Sequence, residues 1–350
     1  MESANRNAAI DIYKGIGIIL VMMGHIGFGD LSSYIAHAFH MPMFFLVSGF
    51  LYHRKEEIGK REWIWQKAIS LLCPYFIFGF INYGIFLIMQ LIKKQSLTID
   101  PIIHLFSVNT TGLASGSLWF FTALLVSNIL FFIINQVVKN YVLLGIIVFS
   151  VSYTGIWMTT NLPTRLPYAI DAGMVGLGLF YVGYLLKIFK DRKRIQQLLE
   201  LSPGGIALGV ILFSVLILNN GEINMRKGLY HNSLLFWINA IGGSILVFSI
   251  SAYCNGLKDS SFPILKWLIR LVQDIGKYSM MYVCMNDLAC AETKYFLKCI
   301  FNGDSKLNTI AVHSATLIIA VIVIEWIIHY TPVTKWMNRI KEILCAKIKL

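Results

Sequence analysis

Apolar runs of about 20 residues, the length that crosses a bilayer as a helix, recur along the whole chain with short polar segments between them. Ten are read, at 9–28, 35–52, 69–92, 118–137, 141–159, 172–189, 204–220, 232–253, 268–290 and 310–330. Nowhere does the pattern alternate residue by residue over about 10 positions, as barrel strands do. It predicts an all-α polytopic membrane protein, about ten transmembrane helices in one bundle. No internal repeat, low-complexity tract or Pro/Gly-rich linker divides the chain. The expected organisation is one membrane domain over residues 1–330 and a basic amphipathic tail over 331–350, lying on the inner membrane surface.

Polar residues break the pattern at a few places, and those places carry the chemistry. The first run holds Asp11, Lys14 and His25. At about 100° per residue, Lys14 and His25 fall within roughly 20° of each other and Asp11 within about 40° of His25. They form one stripe, about 16 Å long from Lys14 to His25. Gly15, Gly17, Gly24 and Gly27 thin the same helix for a close neighbour. Ionisable groups within a span are costly and face a bundle interior or an aqueous cavity. A second run opens with His37 and His40, three apart and so adjacent on a helix face. It follows a short turn, which puts both at the same end as His25, with Ser48 deeper. The ninth run is the most polar, with Arg270, Asp274, Lys277, Asn286 and Asp287. Lys277 is expected to pair with Asp274, and Glu325 in the last run to snorkel or pair inside the bundle.

Composition agrees with a membrane protein. The chain is 57% hydrophobic and 14% charged, against about 45–50% and 25% in soluble domains. A net charge of +12 raises nucleic acid as a partner, but no soluble module interleaves basic and aromatic residues. The positive charge instead reports topology. With a cytoplasmic N-terminus, twenty Lys and Arg fall in inner segments and eight in outer ones, which favours both termini inside. Lys14 then lies near the inner face and His25 near the outer. Six cysteines show no Cys-x-x-Cys and no metal-ligand spacing, so no metal is expected. Pairing of Cys290 with Cys299 is left open. The first run is longer than a signal h-region and contains a lysine, so it is read as a true span.

The pattern Asp11-x-x-Lys14-Gly-x-Gly, Gly24-His25, and His40-Met-Pro-x-Phe-Phe-x-x-Ser-Gly-Phe-Leu51 resembles the acyltransferase-3 family of integral membrane acyltransferases. Looser likenesses are Lys67 through Pro74-Tyr75, Leu118-Trp-Phe-Phe121, Ile170-Asp-Ala to Gly183-Tyr, and Gly276-Lys-Tyr-Ser279. The branch it is most similar to is the fucose 4-O-acetylase-like one. Asn286 stands where the family often has a histidine, and the third run has Lys67 where the family is often richer in arginine.

That resemblance implies transfer of an acetyl group from cytoplasmic acetyl-CoA to a hydroxyl of a surface or lipid-linked glycan, in a multi-pass protein of the bacterial cytoplasmic membrane. A sugar hydroxyl needs a base, and an imidazole titrates near working pH; His25 is the expected base. Lys14 and Asp11 are the expected companions, as a charge for a ligand, a proton path or simply an ion pair. His40, Ser48 and Asn286 are candidates for the oxyanion by residue type. Lys67 and Arg61, with Arg54, Lys55 and Lys60, are candidates for the phosphates of CoA, although plain topology also explains the basic loop. Trp119 is either a sugar platform or a belt residue. The partners expected are acetyl-CoA, a glycan acceptor and the bilayer, with no nucleic acid and a homodimer left open. The rival class is a proton-coupled transporter or flippase, supported by the polar stripe and opposed by the lack of paired broken helices; a sensor domain is a third, with no room for a fused catalytic module.

Overall fold

A computed structural model describes residues 7–53, 58–107, 112–301 and 306–346. Of the described residues 82% are helical, so every site residue is delivered by a helix face or by a connection between helices. In order, α1 is Ala8–Ile26, α2 Asp30–Phe50, α3 Lys60–Ile92, α4 Asp100–Ser107, α5 Trp119–Val137, α6 Tyr141–Asn161 and α7 Ile170–Ile188. Then come α8 Lys193–Leu199, α9 Pro203–Asn220, α10 Ser233–Gly256, α11 Pro263–Lys277, α12 Ser279–Ile300, α13 Lys306–Tyr330 and α14 Val333–Ala346. No strand forms among the described residues; Asn224 and Leu229 make one isolated antiparallel bridge. Arg54 and Lys55 lie outside the described residues.

Among the described residues, eight helices are long and apolar enough to cross a membrane. Two of the expected spans, carried by α2 and α12, are 21 and 22 residues long but are not among the eight. The reason is chemical: these two helices carry His37, His40, Asn286, Asp287 and Glu292, which lower their hydropathy.

The α1–α2 connection sets the geometry of one end. The Asn7 side chain caps α1 by accepting from the Ala9 amide at 3.0 Å, as N-caps do. The helix stops at Gly27, whose φ of 79° is left-handed, and Gly29 follows at φ 101°. Only glycine takes such values without strain. The return is therefore immediate, and α2 runs back along α1 with the end of one beside the start of the other. The Tyr13 hydroxyl donates to the Met43 carbonyl at 3.2 Å and ties the pair lower down.

Small residues then let backbones touch. A Cβ on Gly49 would lie 1.8 Å from the Phe180 carbonyl oxygen, and one on Gly183 1.9 Å from that of Leu46, locking α2 to α7. On the other flank a Cβ on Gly15 would lie 1.9 Å from the Val272 oxygen, and one on Gly276 1.7 Å from that of Asp11, locking α1 to α11. Helix packing in lipid depends on such close approach because apolar burial gives little net drive there.

Two sequence expectations change, and the open question of the Cys290–Cys299 pair is answered. The ninth run is not one helix: the chain leaves helical geometry at Tyr278 (φ −103°, ψ 21°), so 268–290 is divided between amphipathic α11 and α12. Cys290 and Cys299 do not pair; both are free. They sit nine residues apart on α12, about 13 Å along the axis, beyond disulfide reach. Asp274 pairs with His329 at 2.8 Å rather than with Lys277. The tail forms α14, whose Met337 is buried and whose Lys341 donates to Met280 Sδ at 3.5 Å.

Candidate active site

Three helix ends meet where α1 turns into α2. His25 stands one residue before the end of α1. Ser117 stands in the 3-10 turn Gly116–Leu118 that opens directly into α5. Asn286 and Asp287 come from the middle of α12, which packs across α1. Between them is a cavity of about 140 Å³ lined by His25, His37, His40, Ser117, Trp119 and Arg226 with apolar neighbours such as Val21, Met41 and Val283.

The hydrogen bonds form a chain. His25 Nδ1 is 3.2 Å from Asp287 Oδ1, and its Nε2 is 3.0 Å from Ser117 Oγ. A carboxylate only accepts, so Asp287 fixes the proton on Nδ1 and leaves the Nε2 lone pair facing Ser117. The second Asp287 oxygen accepts from the Gly116 amide at 2.5 Å. Ser117 Oγ also lies 3.1 Å from Asn286 Oδ1. The Asn286 amide nitrogen is spent on the carbonyls of Tyr282 (2.8 Å) and Val283 (3.2 Å), so this side chain offers the site an acceptor. Among side chains, His25 stays 27% and Asp287 24% accessible, which keeps the pair within reach of a molecule in the cavity.

His40 Nδ1 faces the Ala36 carbonyl at 2.5 Å and His37 Nδ1 that of Ser33 at 2.8 Å. Each carbonyl demands a proton on Nδ1, so in the neutral rings Nε2 is an acceptor. The two rings meet edge to face with centroids 4.9 Å apart.

The outer wall of the cavity is the connection from α9 to α10. The Asn224–Leu229 bridge folds it into a small hairpin, and Asn220 Oδ1 accepts from the Asn232 amide at 3.0 Å to close its base. Ile223, Met225 and Tyr230 are buried. Arg165 holds the hairpin from beside α7: it pairs with Asp171 and donates through Nη1 to the Arg226 carbonyl at 3.0 Å. Arg226 then points inward, so close to Gly116 that a Cβ there would be 1.9 Å from its Nη1. Burial pushes the guanidinium pKa down, and the Asp287 carboxylate opposes that shift. A guanidinium keeps its proton regardless, so Arg226 is a cation with N–H donors at the cavity wall.

The structure thus brings His25, His40, Trp119 and Asn286 together, and the three imidazoles line one cavity. Asp11 and Lys14 make an i,i+3 ion pair of 2.9 Å about 16 Å down α1, outside the cavity. Ser48 donates to Phe44 O at 2.8 Å about 12 Å along α2 from His40. Lys67, 5.7 Å over the Trp63 ring, and exposed Arg61 belong to the start of α3, which by topology is the Lys14 end. Glu325 accepts from Tyr282 at 2.6 Å and His329 at 3.0 Å. Asp274, Glu325 and His329 are the one group among the described residues with ligand atoms close enough for a metal, and the imidazole already bridges its two carboxylates.

Sequence reading missed Ser117, Asp287 and Arg226 as site residues. A signal existed for Asp287, since an intramembrane acid is a functional candidate by default. Ser117 and Arg226 lie in connections whose position no periodicity reveals.

A multi-pass helical membrane protein with a histidine-lined polar cavity at the meeting of helix ends is the class this fold and site define. The family model described as an acyltransferase domain, acyltransferase 3, matches residues 7–332, and the chain belongs to that family. Neither the curated proteins nor the solved structures gave a match.

Proposed function

We propose that this membrane acyltransferase moves an acetyl group from cytoplasmic acetyl-CoA to a hydroxyl of a surface or lipid-linked glycan, with fucose-like sugars as the acceptor class. The observation that carries the reading is His25 held at both ring nitrogens, with its Nε2 lone pair turned toward a hydroxyl at a polar cavity. Asp287 is the positioning residue: it sets the tautomer and offsets the charge of the imidazolium that forms. His25 takes the proton that the reaction must remove from an oxygen nucleophile. The thioester carbonyl becomes an oxyanion and needs donors; Arg226 supplies them, since Asn286 Oδ1 and the Nε2 atoms of His37 and His40 are acceptors. The His37 and His40 rings, which line the cavity, suit a polyhydroxylated sugar, and Trp119 gives its apolar face a wall.

The donor enters from the Lys14 end. Lys67 and Arg61 are available there for its phosphates and Ser48 lies on the way, while a long thioester arm reaches toward His25. Asp11 holds Lys14 oriented at that entrance. In this layout the ten-helix core crosses a bacterial cytoplasmic membrane with both termini inside, residues 1–330 forming the catalytic domain and 331–350 its tail.

The test is purified protein with acetyl-CoA labelled in the acetyl group and a fucosyl glycoside. Label is expected on a sugar hydroxyl, together with free CoA, and His25→Ala is expected to abolish both while the protein still expresses and melts normally. Undiminished transfer by His25→Ala removes the assigned base.

A further inference from the structure

We propose that Ser117 is a nucleophile, and that the acyl group passes through an acyl-Ser117 enzyme on its way from thioester to acceptor. The proposal rests on the acyltransferase reading above and adds the covalent step to it. A hydroxyl within hydrogen-bond reach of a base, with the base oriented by a third group, is the arrangement that activates a serine. Here the distances are 3.0 Å from Ser117 Oγ to His25 Nε2 and 3.2 Å from His25 Nδ1 to Asp287 Oδ1. The Nε2 lone pair already points at Ser117, so an acceptor sugar that gave its proton directly to His25 would first have to displace this hydroxyl.

The surroundings of Ser117 fit the role. It is buried yet lines the cavity, and Asn286 Oδ1 at 3.1 Å is a second acceptor for its single hydroxyl proton, in competition with His25 Nε2. It lies in the 3-10 turn that runs directly into α5, at the positive end of the helix dipole; the Gly116 and Trp119 amides are already bonded, to Asp287 and to the Ser117 carbonyl. Arg226 adds fixed N–H donors on the neighbouring wall. A carbonyl attacked by Ser117 would therefore develop its negative charge beside donors already in place.

The steps balance. Ser117 Oγ adds to the thioester carbonyl as His25 Nε2 takes its proton; the new C–O bond stays, the C–S bond breaks, and the proton leaves with the CoA thiolate. An acceptor hydroxyl then adds to the serine ester as Nε2 takes the hydroxyl proton. The bond between the carbonyl and Ser117 Oγ breaks, and His25 returns the proton to Ser117.

Full-length protein in detergent, given labelled acetyl-CoA without acceptor, should release one CoA per chain and keep one acetyl group, located by mass spectrometry on Ser117. As an oxygen ester the label should survive denaturation at neutral pH, where an acyl-imidazole is lost. Ser117→Ala should carry no label and lose at least about 1000-fold in transfer rate. Ser117→Cys should carry the label as a thioester that neutral hydroxylamine removes, which also shows that a variant at this position folds. Wild-type protein that acetylates the fucosyl glycoside but never carries label on Ser117 overturns the proposal and leaves the acyltransferase reading intact; so does Ser117→Ala transferring within about tenfold of wild type. Absence of both CoA release and transfer overturns both.

Discussion

Asp287 and Asn286 are neighbours in sequence and do different work. Adjacent residues on a helix point about 100° apart, so Asp287 reaches the His25 ring while Asn286 reaches the Ser117 hydroxyl. Replacing Asp287 by Asn keeps the shape but removes the charge that fixes the His25 tautomer. The expected result is a fall of about 10⁴-fold in kcat with acetyl-CoA affinity unchanged, read from initial rates and calorimetric titration of the donor. Arg226 stands in a different position, as the cation that faces developing charge. Arg226→Ala is expected to lower kcat by about 10²–10³-fold without altering the melting temperature, measured by light scattering in detergent. If Arg226 only pinned the hairpin, the variant would melt early instead.

Helices in this bundle meet by backbone contact, and the cost of losing that contact is large at a few positions only. Gly276→Ala puts a methyl 1.7 Å from the Asp11 carbonyl oxygen, and Gly183→Ala one 1.9 Å from that of Leu46; backbone cannot yield as a side-chain tip can. Each is expected to destabilise by about 1–3 kcal/mol, seen as a lower melting temperature. Gly84, in the exposed part of α3, meets nothing within 4 Å, and Gly84→Ala is expected to stabilise by roughly 0.5–1 kcal/mol through helix propensity. The hairpin between α9 and α10 is tethered by Arg165. Arg165→Ala releases that tether, and KM for the acceptor is expected to rise about tenfold, converting to about 1.4 kcal/mol, with a smaller change for acetyl-CoA in the same steady-state assay.

Across the whole molecule, the site and the candidate donor-binding residues stand at opposite ends of the first three helices, so sidedness decides the direction of transfer. Cys299 is exposed near the end of α12, at the His25 end, and Cys345 is partly accessible on α14. With both termini inside, a membrane-impermeant maleimide should label Cys299 in intact cells and Cys345 only after permeabilisation. Equal labelling of Cys345 in intact cells would reverse the orientation and with it the assignment of the donor entrance. The sequence alone determined the helical class, the positions of most long helices and the polar stripe on α1, because apolar length and helical phase are local properties of a chain meeting lipid. It also placed His25 and His40 at one end, since a short glycine turn leaves no other course. Only the tertiary structure decided which polar groups meet them. Ser117 is 92 residues from His25 and reaches it because the turn before α5 lies against α1 and α12. Arg226 depends on a hairpin held from outside by Arg165. The break at Tyr278, inside a run read as one span, shows only in the folded chain, where α11 packs on α1 through Gly276. Such pairings depend on how helices cross, and helix crossing is set by surfaces far apart in sequence whose complementarity no periodicity records.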